Sequence, residues 1–318
     1  MAMRKEPFSI EADGFFGAYY PCPSGGDCAF VLMLGDDVDD LLARAGAKWM
    51  HAQGCNVLCM APGPKDYGHR NYPLERFELA LDALRQRGNV RFGIAGASTT
   101  GMLSLIAASY YPDFTLTVAL SPSDFVMQGF IRDGLDGAEE RPADGESTVS
   151  WRGEPLPFLP YAYKHPEYWA RLKQEAKDTR GMAAARAMFD ESERLHPLRE
   201  DQLIKVERIC GHVVFVGAED DTLWDTCRYI RRMAARLERM PHECTYELLT
   251  FEHGTHFVFP ESMLKWVLPV GGGLFVRAAF KAARDFPREC RATRLEIDRR
   301  LTRAIESWQA GGLPPSAI

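Results

Sequence analysis

The strongest constraint on this chain is a repeating pattern of a short apolar run, a turn and an amphipathic helix. Residues 29–34 (AFVLML) and 56–61 (NVLCMA) are continuous apolar runs, the mark of strands buried on both faces. Val90, Phe92 and Ile94 alternate in the next run, and 115–120 (TLTVAL), 212–216 (HVVFV) and 245–252 extend the series. Between them, Leu41, Leu42, Ala45, Trp49 and Met50 space out one helix face that Gly54 closes. Leu74, Phe77, Leu81 and Leu84 mark a second helix, 102–111 (MLSLIAASYY) a third, and Ile230, Met233 and Leu237 a fourth. Such regular alternation predicts parallel βαβ units. The expected fold is therefore α/β: a doubly wound, mostly parallel sheet with helices on both faces and ligands at the carboxyl ends of its strands. Residues 8–20 read as a hairpin leading into the sheet. Residues 285–308, with Leu301, Ile305 and Trp308 at helical spacing, read as a last helix packed outside it.

The alternation breaks at residues 122–205. This stretch is rich in Gly, Pro and charge at 133–147 (DGLDGAEERPADGES), then carries two amphipathic helical patterns around 168–177 and 182–195. It is too polar for a second core, so a cap-like excursion within a single domain spanning 1–318 is expected. A length of 318 residues with 46% hydrophobic side chains suits one large globular domain. The net charge of −6 provides no basic field for nucleic acid or an anionic membrane, so neither is expected as a partner. Eight scattered cysteines without CxxC pairs or clustered histidines read as reduced, buried thiols rather than a disulfide frame or metal site. The start, MAMRKEPFSI, lacks a signal-peptide apolar stretch, and the run at 102–111 is too short to span a bilayer. A cytoplasmic, soluble protein is expected.

The chemistry enters at 89–101, NVRFGIAGASTTG. A buried strand, a sharp turn with Gly96 before Ser98, and an apolar helix make the shape of a nucleophile elbow, where a strained turn holds a serine hydroxyl clear of the sheet. Glycine is expected two residues either side of the serine. Here Thr100 takes the second place and the glycine comes one residue later, at Gly101. Acyl transfer by a serine also needs a base, a carboxylate to orient it and donors for the developing oxyanion. In α/β-hydrolases these follow in the order Ser, Asp/Glu, His, each on a loop after a strand. Ser98, then Asp220 and Asp221 after HVVFV, then His253 and His256 after the last strand, supply that order.

On these residues the chain resembles the C-terminal domain family shared by acyl-CoA thioesterases and bile acid-CoA:amino acid N-acyltransferases, α/β-hydrolases of the dienelactone-hydrolase type. The similarity lies in 147–160 (STVSWRGEPLPFLP), 205–224 (KVERICGHVVFVGAEDDTLW) and the HxxxP segment at 256–260. It extends from about Phe15 to Trp308, and the GxDDxxW-like block is its most specific part. The resemblance implies Ser98 as nucleophile, a position held by serine in the thioesterases and cysteine in the conjugating enzymes, and His256 as base. Asp221, three residues before Trp224, is the favoured acid and Asp220 the fallback. The loop after the first buried strand is glycine-rich in the family but reads Gly35-Asp36-Asp37-Val38-Asp39-Asp40 here. The backbone N–H of Asp36 and that of Thr99 are the expected oxyanion donors. The four aspartates would repel an anionic substrate if they lined the mouth, and would cap the following helix if they did not.

The expected protein is thus a serine hydrolase cleaving a small-molecule acyl thioester or carboxylic ester, with no metal or organic cofactor implied. N-acyl transfer to an amine and a non-catalytic binding protein on a hydrolase scaffold are the rival readings. Trp151, Phe158, Tyr161, Tyr163 and Trp169 in the excursion are candidate acyl-pocket linings.

Overall fold

A computed structural model describes residues 3–66, 68–133, 139–180, 184–267 and 272–312. Its centre is an eight-stranded sheet built of β1 (Glu6–Phe8), β2 (Phe16–Tyr20), β3 (Cys28–Met33), β4 (Asn56–Ala61), β5 (Arg91–Ala97), β6 (Phe114–Leu120), β7 (His212–Ala218) and β8 (Thr245–Phe251). The spatial order is β1-β2-β4-β3-β5-β6-β7-β8. Within it β2 is antiparallel to both neighbours and the other pairs are parallel. The order doubles back at β3, so the chain winds outward from the middle in both directions.

Period-two alternation sends each strand's side chains to two separate cores. Val31, Met33, Leu58, Met60 and Ile94 pack on one face with α2 (Glu75–Gln86) and α3 (Thr99–Tyr110). Phe30, Leu32, Val57, Cys59 and Ala95 pack on the other with α1 (Leu41–Ala52) and a long C-terminal helix whose Leu301, Ile305 and Trp308 are buried. Both faces are covered, which is why β3, β4 and β7 read as unbroken apolar runs. Val90 differs from its expected place: it lies just before β5 and is 70% exposed, so the period-two pattern begins one residue inside the strand.

The excursion holds more regular structure than its composition suggested. Gln128–Asp133 and Glu139–Ser147 form an antiparallel hairpin, and Val149–Trp151 pairs in parallel with Tyr72–Pro73 from the loop after β4. Gly134 to Ala138, part of the polar tract, and Met182, the expected start of the second helix, lie outside the described residues; the helices described are α4 (Glu167–Asp178) and α5 (Arg186–Leu195). The excursion does not build a core of its own. Phe125, Val126, Met127, Val149, Leu159, Met188 and Phe189 are all buried in the core on the α2/α3 face. Charged ties add to this: Arg232 of α6 (Thr226–Arg239) binds both Asp124 and Glu193 at 2.6 Å.

Two histidines are buried as neutral groups. Burial holds the His69 imidazole down at about 3, with Arg76 adding to the effect, and holds His212 at about 4. Neither His69 ring nitrogen has a hydrogen-bond partner. An unfolded histidine titrates near 6.5, so below that pH the unfolded chain binds protons that the fold excludes. Their contribution is complete above about pH 6.5 and is lost as pH falls toward the folded values. His69→Leu is therefore expected to flatten the loss of urea-unfolding free energy on acidification from about pH 7 to about pH 4.5. Equal acid sensitivity in variant and wild type would rule His69 out as a source.

Candidate active site

The site assembles at the carboxyl ends of β3, β5, β6, β7 and β8. Ser98 stands between β5 and α3 with φ 61° and ψ −129°, a conformation disfavoured for any residue with a Cβ. Its N–H donates to Leu120 O (2.8 Å), which fixes the turn to β6. The glycine spacing has a physical reason. A Cβ on Gly96 would meet Thr100 O at 2.2 Å, and one on Gly101 would meet Leu120 O at 2.7 Å. The close approach of α3 to β6 thus falls at residue 101, and the place two after the serine is open to a side chain. Thr100 uses it: its hydroxyl accepts from Ala97 N–H (3.0 Å) and reaches Met33 O (2.7 Å), tying the turn to β3.

Consecutive aspartates after β7 point to different partners. The Asp221 carboxylate, 1% exposed, takes the His256 Nδ1 at 2.8 Å through Oδ2, together with the Thr226 hydroxyl, while Oδ1 accepts Leu223 N–H at 2.9 Å. Asp220 Oδ1 instead accepts Gly254 N–H (3.0 Å) and Thr255 N–H (2.7 Å), and its Oδ2 faces His253 Nδ1 at 3.2 Å. His253 lies flat on Phe286 (ring centroids 3.8 Å apart). The remaining nitrogen of His256, Nε2, is buried and has no partner. An imidazole anchored through Nδ1 with a free Nε2 is the arrangement a general base requires.

The Thr99 N–H opens α3, where first-turn amides have no intrahelical partner and the helix dipole favours negative charge. Asp36 is arranged differently from expectation: its N–H donates to Asp40 Oδ2 at 2.6 Å and is not free for a substrate oxyanion in this conformation. Asp40 also caps α1 by accepting Ala43 N–H (2.8 Å), so one carboxylate bridges loop and helix. Gly35 is needed there, since with φ 82° a Cβ would meet that carboxylate at 2.2 Å. Nor do the aspartates present four free charges. Asp36 is ion-paired with Arg132, and Asp37 accepts the Lys65 N–H at 3.1 Å. Asp39 is bound by Lys5, Tyr20 and Arg44. Burial alone would raise the Asp39 carboxyl, but those partners outweigh it and hold it below its ordinary range.

The aromatic residues of the excursion divide. Tyr161 packs on Phe189 (5.8 Å), Phe189 on Trp224 (5.3 Å) and Trp224 on His256 (4.8 Å), a chain of ring contacts leading to the site. Trp151, by contrast, packs on Tyr110 and Tyr111 at the far end of α3, about 18 Å along the helix from Ser98 at 1.5 Å per residue. Tyr163 and Trp169 lie under Arg171 and Lys173. Sequence reasoning missed Ser121, whose hydroxyl donates to His256 O at 3.1 Å. Its one sequence signal is position, directly after a buried strand. Among the described residues no group of three or more His, Cys, Asp or Glu side chains is arranged to hold a metal ion, and no helix is long and apolar enough to cross a membrane.

Strand order, the elbow and the carboxylate–histidine pair at consecutive strand ends together define an α/β-hydrolase fold. Two solved structures are similar over nearly the whole chain. One is a puromycin-hydrolyzing peptidase of Mycobacterium tuberculosis (TM-score 0.54, 13% identity), with 99% of this chain and 40% of that one covered. The other is an esterase of Pyrococcus furiosus (TM-score 0.52, 12% identity, 96% and 92% covered). This chain thus spans well under half of the peptidase's length, and at these identities the likeness speaks to the fold alone. Residues 72–263 match the family described as BAAT / acyl-CoA thioester hydrolase C terminal, and the chain belongs to that family. A search of curated proteins found no match. Family and fold together support an ester or thioester hydrolase in general terms.

Proposed function

We propose that this protein is a serine hydrolase that cleaves an acyl thioester, acyl-CoA-like, or a carboxylic ester through a Ser98 acyl-enzyme. The observation carrying the reading is the buried His256–Asp221 pair with its unpartnered Nε2, on the same carboxyl edge of the sheet as a serine held at positive φ. His256 Nε2 takes the Ser98 hydroxyl proton as Oγ bonds to the acyl carbon, and Asp221 holds the imidazole in the required tautomer. His256 returns that proton to the leaving thiolate or alkoxide as the bond to the acyl carbon breaks. Water, deprotonated by the same nitrogen, then releases the acid and regenerates Ser98. The Thr99 N–H is one oxyanion donor. The substrate is a small molecule, residues 1–318 act as one hydrolase domain, and the setting is the cytoplasm. An active-site fluorophosphonate should label Ser98 alone, and purified protein should hydrolyse members of a panel of acyl-CoAs and p-nitrophenyl esters. Protein that neither labels nor hydrolyses would refute the reading.

One observation favours the second reading, a binding protein on a hydrolase scaffold: the Asp40 carboxylate occupies the loop amide expected to stabilise an oxyanion. The labelling and hydrolysis test above separates the two readings, and Asp40→Ala tests whether this carboxylate restrains catalysis. Losing the helix cap should cost about 1 kcal/mol of stability, measured by urea unfolding. In a hydrolase the same change frees the Asp36 N–H, so kcat for a neutral p-nitrophenyl ester should rise while stability falls. A parallel fall of both would show that Asp40 supports the loop without restraining catalysis.

A further inference from the structure

Trp224 closes the most specific block of the sequence, yet the acyl-enzyme chemistry makes no use of it. Nor does it use Ser121, which follows β6 at φ 46° while only 1% exposed. A left-handed serine at a fully buried position is costly, and it persists only where its surroundings over-determine it. Here they do. The Ser121 N–H donates to Val216 O (2.8 Å), its carbonyl accepts the Trp224 indole Nε1–H (3.1 Å), and its hydroxyl donates to His256 O (3.1 Å). Glycine would adopt this φ without strain but has no hydroxyl to reach the histidine.

We propose that Ser121 and Trp224 are positioning residues that hold the His256 imidazole in register with Ser98; the proposal rests on the serine-hydrolase reading above. Asp221 restrains one ring nitrogen, which leaves the imidazole free to swing about the Nδ1–Oδ2 line. The Trp224 indole stands at 87° to the imidazole with ring centroids 4.8 Å apart and blocks that swing. The indole is itself clamped, by its bond to Ser121 O on one side and by the Phe189 ring at 82° on another. Ser121 then fixes the backbone of His256, so side chain and main chain are held by separate contacts. Two proton transfers through Nε2 demand such constancy, since displacements near 1 Å are enough to cost rate heavily. In this proposal Ser121 and Trp224 act through His256 rather than on the acyl group, so their effect falls on turnover rather than on binding.

The test uses Trp224→Leu, Trp224→Phe, Ser121→Ala and Ser121→Gly. For each, kcat and KM on a p-nitrophenyl ester, the rate of fluorophosphonate labelling of Ser98 and the thermal unfolding midpoint are measured. Trp224→Leu should lower kcat on the order of a hundredfold with KM little changed, and Trp224→Phe, which keeps a ring against His256, should recover part of the loss. Ser121→Ala should lower kcat about tenfold, as expected for one lost hydrogen bond. Labelling should slow in the same order. Ser121→Gly is the diagnostic variant: it relieves the strained φ, so the midpoint should hold or rise while kcat still falls. Folded variants with wild-type kcat and labelling rates would overturn the proposal, as would losses lying in KM or following the unfolding midpoint alone. Wild-type protein that does not label refutes the underlying serine-hydrolase reading, whereas labelled wild type with unaltered variants refutes only the positioning.

Discussion

Ser98→Ala is expected to lower kcat on the order of a million-fold, the cost of removing the nucleophile of a serine triad, while the protein stays folded. The size follows from the hydroxyl's role in bond formation, for which a methyl group has no substitute. The intact fold follows from the site. The Ser98 side chain makes no capping hydrogen bond, its N–H bond to Leu120 O belongs to the backbone, and alanine at φ 61° is strained about as serine is. Ser98→Gly sharpens the point, because it removes the Cβ at positive φ. It should be as inactive as the alanine variant yet melt no lower than wild type, the pattern of a site that sacrifices stability for function. Turnover numbers and melting curves for the two variants check this together. Substantial residual hydrolysis in either would move the nucleophile elsewhere.

The second large effect separates two adjacent carboxylates. Asp221→Asn should reduce kcat on the order of ten-thousand-fold. An amide facing His256 Nδ1 offers a donor where an acceptor is needed, and so favours the tautomer whose Nε2 already carries a proton and cannot accept one from Ser98. Asp220→Asn should cost far less turnover. An asparagine Oδ1 still accepts the Gly254 and Thr255 N–H groups that tie down the loop before His256, and only the contact to His253 changes character. Its effect should appear mainly as a lowered unfolding midpoint. Side-by-side kcat values decide the matter, and a larger loss for Asp220→Asn would reverse the assignment.

Much of this was legible in the chain itself because the relevant physics is local. Strands buried on both faces must be apolar at every position, and β3, β4 and β7 could be read directly from their runs. Helix faces recur every three to four residues, and ligand sites in such sheets lie at carboxyl ends, so Ser98, the two aspartates and the two histidines stood out by type and order. Inside the excursion the signal was weak. Its hairpin carries charged and small residues along 139–147, and what holds it in place is pairing and burial against distant parts of the chain, such as Phe130 N–H on His69 O.

What only the tertiary structure decided turns on direction and on contacts far apart in sequence. Asp220 and Asp221 are adjacent and alike in type, and the sequence favoured Asp221 only through its resemblance-based spacing to Trp224. In the turn their side chains diverge: Asp221 meets the His256 imidazole, while Asp220 meets two backbone amides and His253. The Asp36 amide was expected to be free because backbone donors do not depend on side chains. It is engaged because a helix-capping carboxylate four residues on folds back over it. Ser121 and His256 lie 135 residues apart, and Trp224 reaches both only because β6, β7 and β8 are neighbours in the sheet. Local sequence specifies which elements form and which chemistry they carry. Which atoms meet is set by how those elements pack, since the partners are brought together by burial of surface that no single segment contains.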